Sequence, residues 1–570
     1  MIISDKANLP RRTLLKALAA LGVGTPVFQR ALAAQAEKTA KITPEMVKQA
    51  EWIAGLDLTE DERKHAASAL EETLNDIAAL RKIEITYDVP PALAFHPDTA
   101  GLPSTEPVKR NQARPTESHA PKRPDSSETL AFLPVTELSA LLRARELSST
   151  ELTKLYLDRL KRFDPLLKCV VTLTEELALK QAARVDAELA AGLYRGPLHG
   201  IPWGAKDLIA YPGYPTTWGA PHWKDRVINE KATVAARLEE AGAVLVAKLS
   251  LGALAMGDQW YGGKTRSPWD PRQGSSGSSA GSASAVAAGL VGFAIGSETL
   301  GSIVSPCQAC GATGLRPTFG RVSRQGCMTL AWSMDKLGPI ARSIEDCALI
   351  LDAIHGADGF DPSAVDQPFP WPPNISLRTL KVGYLDQKDH PADSREDLKI
   401  LRDLGVTLLP IELPKDLPAW AVTLMLGVEA AAVFDDLTRH HISEGLNSWP
   451  AAFRQNQFVP AVEYLRAARV RTLLIRSMAK LMSTVDLYIG NGDDLAITNL
   501  TGHPTAVLPF AFTEKEGRSR PGSLTFTARL YAESPLLALA QAFQQSAGHH
   551  LSHPPLERYL AEDSAKPKTM

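Results

Sequence analysis

The chain has 570 residues, of which 44% are hydrophobic and 22% are charged, so its composition is that of a soluble globular protein and excludes disorder as the default. The formal net charge is only −2 at pH 7, which excludes the strong basic bias that usually accompanies binding to nucleic acid or anionic lipid. We therefore expect no nucleic-acid partner, and the ligand has to be inferred from a local site.

Residues 1–36 have the pattern of a twin-arginine export signal. Arg11 and Arg12 precede a mildly apolar run over 17–28, and small residues at 31–36 offer A-x-A cleavage positions. An apolar run of about a dozen residues is too short to cross a hydrocarbon core of about 30 Å. We predict an exported, periplasmic protein without stable membrane insertion after signal removal; the alternative is a surface helix of a cytosolic protein.

A small helical module is predicted between residues 43 and 82. Within it, Thr59 and Glu62 form a capping box, in which each residue satisfies a backbone N–H at the start of a helix. A proline-rich linker is predicted over 88–127, where eight prolines occur almost without apolar periodicity. The main domain is expected to follow, over 128–570.

The main domain alternates short β-like runs with helical patterns. Examples are AVLVAKL at 243–249 and TLKVGYL at 379–385 for strands, and SIEDCALILDAIHG at 343–356 for a helix. This alternation is typical of an α/β layered sheet, and the sequence contains no internal repeat.

The chain contains five cysteines, an odd number that leaves at least one without a disulfide partner within a monomer. Cys307 and Cys310 form a C-x-x-C pattern, but no second such pair and no histidine pair completes a zinc tetrahedron. We interpret both as packed thiols and expect neither a metal site nor a disulfide scaffold.

A serine-rich segment, GSSGSSAGSASAVAAG at 274–289, predicts a loop followed by a helix, then a strand LVGFAIG and a second small-residue loop SETLGS. Such loops let backbone N–H groups approach an anion or a developing oxyanion; the alternative is a flexible surface linker. Residues 277–281 also match the G-x-S-x-G elbow, which would nominate Ser279 as a nucleophile. That motif requires a strand immediately before it, and the preceding SPWDPRQGSSG does not favour one.

Several motifs, in order from about residue 130 to about 545, resemble those of the amidase signature family. They are GIPWGAKDLIAYPG at 200–213, the serine-rich segment, GSETLGSIVSPCQACGATGLRPTFGRVS at 296–323, WSMDKLGPIARSIEDCALILDAIHGAD at 332–358 and TNLTGHPTAVLP at 498–509. The resemblance implies an α/β/α sandwich around a mixed central sheet, here with a small N-terminal helical extension. It also implies an amidase that converts a small-molecule carboxylic amide to an acid and an amine or ammonia, with no cofactor.

The resemblance implies a Ser-Ser-Lys triad in place of Ser-His-Asp. The family's lysine falls on Lys206 and its nucleophile on Ser302. Aligned without gaps back from AVAAG, the bridging serine falls on Ser278, whereas Ser275 would need a three-residue gap. The serine-rich segment is thus expected to hold the proton relay, with the attacking serine downstream of it.

Further site residues follow from the same correspondence. The backbone N–H groups around the oxyanion belong to four consecutive residues, Thr299, Leu300, Gly301 and Ser302. Ser279 and Cys327 fall at candidate positions of the substrate pocket, and for Cys327 the alternative is a buried thiol. His503 is the histidine to suspect as a base, but the corresponding family segment carries no catalytic histidine, so we interpret it as structural.

The chain departs from the family pattern in the nucleophile loop. Where the family often reads G-T-D-T-G-G-S-I-R, an Asp is replaced by Glu298, a Gly by Leu300 and an Arg by Val304. Loss of the Arg removes a partner for Glu298, and Leu300 adds a side chain beside the oxyanion loop. We expect altered loop geometry or a narrower pocket rather than lost activity. Ala280, which also replaces a Gly, is compatible only with a negative φ.

The chemistry of the triad requires a neutral lysine. A serine hydroxyl is a weak nucleophile until a base takes its proton, and a lysine accepts that proton only if burial lowers its pKa from about 10.4. Lys206 is flanked by the apolar stretches IPWGA and LIA, which would desolvate an ammonium. Asp207 would oppose the shift, but on a strand the two side chains face opposite ways.

Two other functions remain open from the sequence. The helical module weakly resembles the small subunit that accompanies the amidase subunit of tRNA-dependent amidotransferases, which suggests an ammonia-generating component with protein and tRNA partners. The export-like N-terminus and the absence of a basic bias argue against it. The third hypothesis is a catalytically silent amide-binding protein. The sequence does not define the substrate, and it leaves homodimer formation open.

Overall fold

The computed structural model describes residues 41–85, 110, 112–116, 122–386 and 391–564. The predicted export signal lies outside these described residues, as does most of the predicted linker over 88–127. The described part of the linker contacts the main domain, since Ala113 is buried and its N–H donates to the Asp352 carboxylate at 2.9 Å. The linker is therefore held against the domain surface at this point.

Two helices form the N-terminal module, α1 over Pro44–Ala54 and α2 over Glu60–Arg81. At the start of α2, Thr59 Oγ1 accepts from the Glu62 N–H at 3.3 Å and the Glu62 carboxylate accepts from the Thr59 N–H at 2.8 Å. The predicted capping box is therefore present. Gly55 ends α1 with φ of 65°, a left-handed conformation that glycine adopts without steric cost.

The main domain alternates helices and strands. Its helices are α3 (Ser127–Phe132), α4 (Val135–Ala144), α5 (Ser149–Leu167), α6 (Glu175–Ala190), α7 (Thr233–Glu240), α8 (Ala280–Ala287), α9 (Val304–Cys310), α10 (Ile344–Ile354), α11 (Glu396–Asp403), α12 (Ala419–Val422), α13 (Leu424–Val433), α14 (Asp435–Arg439), α15 (Trp449–Asn456), α16 (Ala461–Met482), α17 (Leu495–Thr501), α18 (Glu533–Ala547) and α19 (Leu556–Ser564). Its strands are β1 (Val170–Leu173), β2 (Pro202–Lys206), β3 (Val244–Leu249), β4 (Gln259–Trp260), β5 (Gly263–Lys264), β6 (Phe293–Glu298), β7 (Thr313–Arg316), β8 (Lys336–Ala341), β9 (Lys381–Leu385), β10 (Thr407–Ile411), β11 (Leu487–Gly490), β12 (Thr505–Lys515) and β13 (Arg518–Ala528). No helix within the described ranges combines the length and the apolar character that a membrane crossing requires.

Within the described residues, eleven strands form one sheet in the order β1-β3-β2-β6-β8-β7-β12-β13-β11-β9-β10, and β4 pairs separately with β5. Strand β2 runs parallel to β3 and β6, and β9 runs parallel to β10 and β11. The other neighbours are antiparallel, so the sheet is mixed. Helices cover both of its sides, which confirms the predicted α/β/α sandwich.

Alternate side chains of the central strands enter two different apolar cores. Trp203 and Leu245 belong to one core, whereas Val246 and Ala294 belong to the other together with residues of α8 and α9. Because successive side chains of a strand point to opposite faces, the side chain of Lys206 lies on the face opposite Ala205. Lys206 thus points toward the N-terminal ends of α8 and α9.

The N-terminal module docks on the helices α12 to α16, which lie between β10 and β11. Arg81 of α2 binds Glu463 of α16 at 2.6 Å, and Arg454 of α15 forms an ion pair with Glu62. The side chains of Arg454 and Glu62 are about nine-tenths buried, so water screens this pair little. Charge pairing with partners far along the chain therefore fixes the module.

Candidate active site

Lys206 is the last residue of β2, and its side chain is fully buried. Its amine reaches three serines, with Nζ 2.8 Å from Ser278 Oγ, 3.0 Å from Ser279 Oγ and 2.9 Å from Ser297 Oγ. The Ser297 carbonyl oxygen lies 3.2 Å from the same Nζ. The lysine from one predicted motif and the serine from another therefore meet, although they are separated by 72 residues.

The three hydroxyl groups around Lys206 Nζ differ in the other hydrogen bonds that they make. Ser279 donates its proton to the Ser297 carbonyl at 3.0 Å and accepts from the Ser297 N–H at 3.1 Å. A neutral amine has two N–H donors and one lone pair, so another hydroxyl must donate to that lone pair. Ser278 and Ser297 are the two hydroxyls left for this role, and Ser278 in it would be a proton relay.

The pKa of Lys206 suits a base at neutral pH. Burial, which disfavours the ammonium, lowers this pKa to about 7, against the opposing charges of Asp335 and Glu298. The neighbouring Asp207 faces away, as predicted, since its carboxylate pairs with Lys248 at 2.7 Å. Lys206 is thus largely spared the charge of its neighbour in the sequence.

The segment that carries Ser302 connects β6 to α9. Strand β6 extends to Glu298, so Ser297 and Glu298 belong to the strand and not to the loop predicted for SETLGS. The Ser302 carbonyl accepts from the Ser279 N–H at 3.0 Å, which ties the segment that carries Ser302 to the start of α8. Ser302 is 8% exposed as a whole residue and is thus nearly buried.

Two glycines, one in β6 and one in the loop before α8, allow these segments to pack closely. A Cβ on Gly296 would lie 2.7 Å from Ser279 Oγ, so only glycine leaves room for the serine beside β6. A Cβ on Gly277 would lie 1.9 Å from the Gly257 carbonyl oxygen. The peptide bond between Gly277 and Ser278 is cis.

Glu298 holds the backbone that follows Ser302. One carboxylate oxygen accepts from the N–H groups of Ile303 at 2.8 Å and Val304 at 3.0 Å. The other accepts from Arg316 at 2.8 Å and from Asn499, also at 2.8 Å.

The pKa of Glu298 shows how strongly this site favours the carboxylate. Burial opposes its ionisation, but Arg316, Lys336 and the Val304 N–H together lower its pKa to about 2. Arg316 of β7 therefore supplies the cation that the sequence departure at Val304 removes.

The predicted oxyanion loop has free donors. The N–H groups of the four residues from Thr299 to Ser302 donate to no acceptor within the described part of the chain. Gly301 has φ of 87°, whereas Leu300 is absent from the residues with positive φ, so leucine replaces glycine there without backbone strain. Ala280 likewise avoids positive φ as the first residue of α8.

Three other serines of the serine-rich segment have structural partners. Ser275 Oγ donates to the Ser276 carbonyl, Ser282 Oγ to that of Ile295 and Ser284 Oγ to that of Arg266. No strand lies immediately before Ser279, since β5 ends at Lys264, so the elbow motif lacks its required context in the structure as well.

His503 is not suited to catalysis as a base. Burial and the nearby Arg316 charge lower its pKa to about 3, and its Nδ1 is 2.8 Å from Thr501 Oγ1. The histidine is therefore neutral and held by its neighbour. This agrees with its interpretation as a structural residue.

The cysteines named in the sequence analysis differ in burial. Cys307 and Cys310 are buried in α9, where burial raises the pKa of both thiols. Within the described residues, no group of three or more His, Cys, Asp and Glu side chains is arranged to hold a metal ion. Cys327 is partly exposed and lines a cavity.

Sequence motifs did not point to three residues of the site. Ser297 contacts Lys206, Arg316 pairs with Glu298, and Asp335 accepts a hydrogen bond of 2.6 Å from Thr299 Oγ1. All three lie in motifs of the family resemblance, Ser297 and Arg316 in 296–323 and Asp335 in 332–358, but the motifs gave them no role. The contacts of Arg316 and Asp335 depend on the order of the strands in the sheet.

Comparisons with known proteins agree with this architecture. The family model described as "Amidase" matches residues 151–490. The chain is 34% identical over 491 residues to one of the subunits of the glutamyl-tRNA(Gln) amidotransferase of Moorella thermoacetica, with 75% of this chain and 99% of that protein covered. The X-ray structure of the native peptide amidase from Stenotrophomonas maltophilia is similar, with a TM-score of 0.66, 29% identity, and coverage of 74% of this chain and 98% of that chain.

The fold and the sequence similarity define a hydrolase that acts on amide C–N bonds. The chain belongs to the amidase signature family. Its activity is that of an amidase.

Proposed function

We propose that the chain hydrolyses a carboxylic amide through an acyl-enzyme on Ser302, with Ser278 as the proton relay and Lys206 as the base. The observation that carries this proposal is the buried amine of Lys206, which lies 2.8 Å from Ser278 Oγ and has a pKa of about 7. A base with this pKa is substantially neutral at physiological pH and can accept a proton from a hydroxyl group.

In the first half of the reaction, Ser302 Oγ attacks the carbonyl carbon of the amide. Its proton passes to Ser278 Oγ while the Ser278 proton passes to Lys206 Nζ, which becomes an ammonium. The negative oxygen of the tetrahedral intermediate accepts from the free N–H groups of the loop before Ser302. Each such donor is worth about 3 kcal/mol of transition-state stabilisation in hydrolases of this kind.

In the second half, the tetrahedral intermediate collapses and the C–N bond breaks. The leaving amine takes the proton of Ser278, and Lys206 returns its own proton to Ser278. Water then attacks the ester formed on Ser302, and the same relay first accepts the proton of the water and then gives a proton back to Ser302 Oγ. The products are a carboxylic acid and an amine or ammonia.

The test is labelling with a broad fluorophosphonate probe, followed by peptide mapping, together with turnover of primary amides. We expect one adduct, on Ser302, and turnover that is lost in Ser302→Ala. Ser284→Ala is the matched control, because this buried serine donates to the Arg266 carbonyl and does not contact Lys206. An adduct on Ser279, or unchanged turnover in Ser302→Ala, would contradict the assignment of the nucleophile.

A specific observation favours a second candidate, an ammonia-generating component of an amidotransferase. It is the 34% identity to a protein named as one of the subunits of a glutamyl-tRNA(Gln) amidotransferase. This candidate predicts release of ammonia from glutamine in preference to other primary amides, and it requires partner proteins. A silent amide-binding protein would instead bind an amide with no turnover that depends on Ser302.

Location and assembly are further parts of the proposal. We propose export to the periplasm by the twin-arginine route, which the paired Arg11 and Arg12, the apolar run and the small residues after it support. The proposed partner is a small-molecule amide. The proposed assembly is a homodimer, and light scattering of the purified protein would test it.

A further inference from the structure

A cavity of about 420 Å³ is joined by backbone hydrogen bonds to the segment that follows Lys206. Its inner wall contains Cys327 and Met328, and the Met328 N–H donates to the Leu208 carbonyl at 3.0 Å, two residues after Lys206. Trp218 forms another part of the wall, and its N–H donates to the Asp207 carbonyl at 3.2 Å. Two walls of the cavity are therefore fixed to the backbone that continues from the proposed base.

The cavity is also linked to the predicted oxyanion loop. Asp335 accepts from Thr299 Oγ1 at 2.6 Å through one oxygen, and from the N–H groups of Leu330 at 2.7 Å and Ala331 at 3.0 Å through the other. Leu330 and Ala331 continue the chain from Met328 toward Trp332, which also lines the cavity. Asp335 thus joins the cavity wall to the loop that precedes Ser302.

The cavity combines aromatic and apolar side chains with polar and charged ones. Trp218, Met328, Trp332 and Phe360 line it, and Trp332 and Phe360 remain 51% and 73% exposed. Large aromatic side chains left open to water at the edge of a cavity are typical of a ligand surface. The indole N–H of Trp218 is buried and has no acceptor within the described residues.

The charged groups of the cavity offer little to an ionic substrate. The Arg324 guanidinium donates to Asp361 at 2.8 and 3.0 Å, and also to the Trp332 carbonyl at 2.6 Å. Burial opposes ionisation of Asp361, but the Arg324 hydrogen bonds hold its pKa well below its usual range, so the pair is internally neutral. Glu230, at the exposed edge, accepts from Gln325 at 2.6 Å and would repel a substrate carboxylate.

We infer that this cavity binds the substrate through an aromatic ring, so that the preferred substrate is an uncharged amide with an aromatic group near the scissile bond. The inference rests on the proposed function, since it assigns a substrate class to the same site. The aromatic walls supply stacking and apolar contact, and the internally neutral ion pair offers no cation to amides that carry a free carboxylate, such as glutamine.

The test compares amides that carry an aromatic ring with similar amides that lack one. Release of ammonia from 3-phenylpropanamide is measured against propanamide and glutamine, and hydrolysis of acetanilide against N-ethylacetamide covers a ring on the amine side. We expect kcat/KM to be about tenfold or more higher for the aromatic member of at least one pair. We expect Trp332→Ala and Phe360→Ala to reduce that preference.

The matched control is Trp52→Ala, because Trp52 is 68% exposed on α1 and does not line the cavity. Turnover of the non-aromatic amide that equals or exceeds that of its aromatic partner in both pairs would overturn the inference, and so would a ring preference that both cavity variants leave unchanged. In either case, turnover dependent on Ser302 would leave the proposed function standing.

A binding measurement distinguishes failure of this inference from failure of the proposed function. Isothermal titration of 3-phenylpropanamide into Ser302→Ala should show binding, and the double variant with Trp332→Ala should bind about tenfold more weakly. If no amide or ester is hydrolysed, the proposed function fails, while this binding pattern still supports the cavity. Absence of binding to Ser302→Ala would overturn the inference.

Discussion

Lys206 combines complete burial with contacts to three serine hydroxyls, and its protonation state decides whether it can act as a base. Because burial lowers its pKa to about 7, the neutral form gains population as the pH rises through that value. We expect kcat/KM to increase with pH up to somewhat above 7 and then to level off, which a pH–rate profile with a neutral amide would record.

Removal of the amine tests the same assignment directly. Lys206→Ala should reduce kcat/KM by about 10² to 10⁴, the usual contribution of a general base. Lys161→Ala is the control, since Lys161 is exposed and pairs with Glu175 at the surface. Normal turnover in Lys206→Ala, or a profile flat from acid to alkaline pH, would contradict the proposed base.

Individual residues of the site were predictable where a motif carried them. Lys206, Ser278 and Ser302 each lie in a stretch whose order and spacing resemble the family, and the structure brings Lys206 and Ser278 within hydrogen-bond distance. Ser297 was not predicted to contact the lysine, because its place depends on how far β6 extends. Composition and spacing do not define the last residue of a strand.

At the scale of elements, the turn from β6 to α9 depends on Glu298. Its carboxylate fixes the two N–H groups that follow Ser302, and its negative charge favours the ammonium form of Lys206. In Glu298→Gln, the Arg316 charge loses its partner and the backbone contacts weaken. We expect kcat/KM to fall about 10- to 100-fold and the rise of the pH profile to move below 7.

The control for this variant is Glu298→Asp, which keeps the charge and introduces the residue that the resembling family often has at this position. It should retain a pH profile close to that of the wild type. The readouts are the pH–rate profile and thermal unfolding of each variant. A loss of activity in Glu298→Gln without a shift of the pH–rate profile would indicate that Glu298 has only a structural role.

The pairing of Glu298 with Arg316 also shows where sequence-based prediction ends. Both residues lie in strands, but β8 stands between β6 and β7 in the sheet, so the two residues meet only through an order of strands that chain order does not give. The alternation of helices and strands predicted the layered fold. The mixed order of eleven strands follows from tertiary packing, which no local pattern encodes.

At the scale of the whole molecule, the proposed export can be tested on the full chain in a bacterial host. Replacement of Arg11 and Arg12 by lysines keeps the positive charge of the segment but removes the paired arginines. We expect the wild-type protein in the periplasm with a new N-terminus near residues 31–36, and the variant in the cytosol with its N-terminus intact. Fractionation and N-terminal sequencing would measure both.

Arg30→Lys is the matched control, since Arg30 lies in the same segment outside the pair. It should be exported like the wild type. An intact, cytosolic wild-type chain would contradict the prediction. Export of the double variant at the wild-type level would instead indicate a different route.

The docking of the N-terminal module has a consequence for synthesis. The ion pair between Arg81 and Glu463 joins residues 382 positions apart. At about 5 to 20 residues per second, a ribosome needs roughly 20 to 80 s to reach Glu463 after Arg81 has been made. During that interval α2 exists without the helices that later cover it, and its capping box is a contact that it can form alone. Glu62 thus serves first as the start of a nascent helix and later as the buried partner of Arg454.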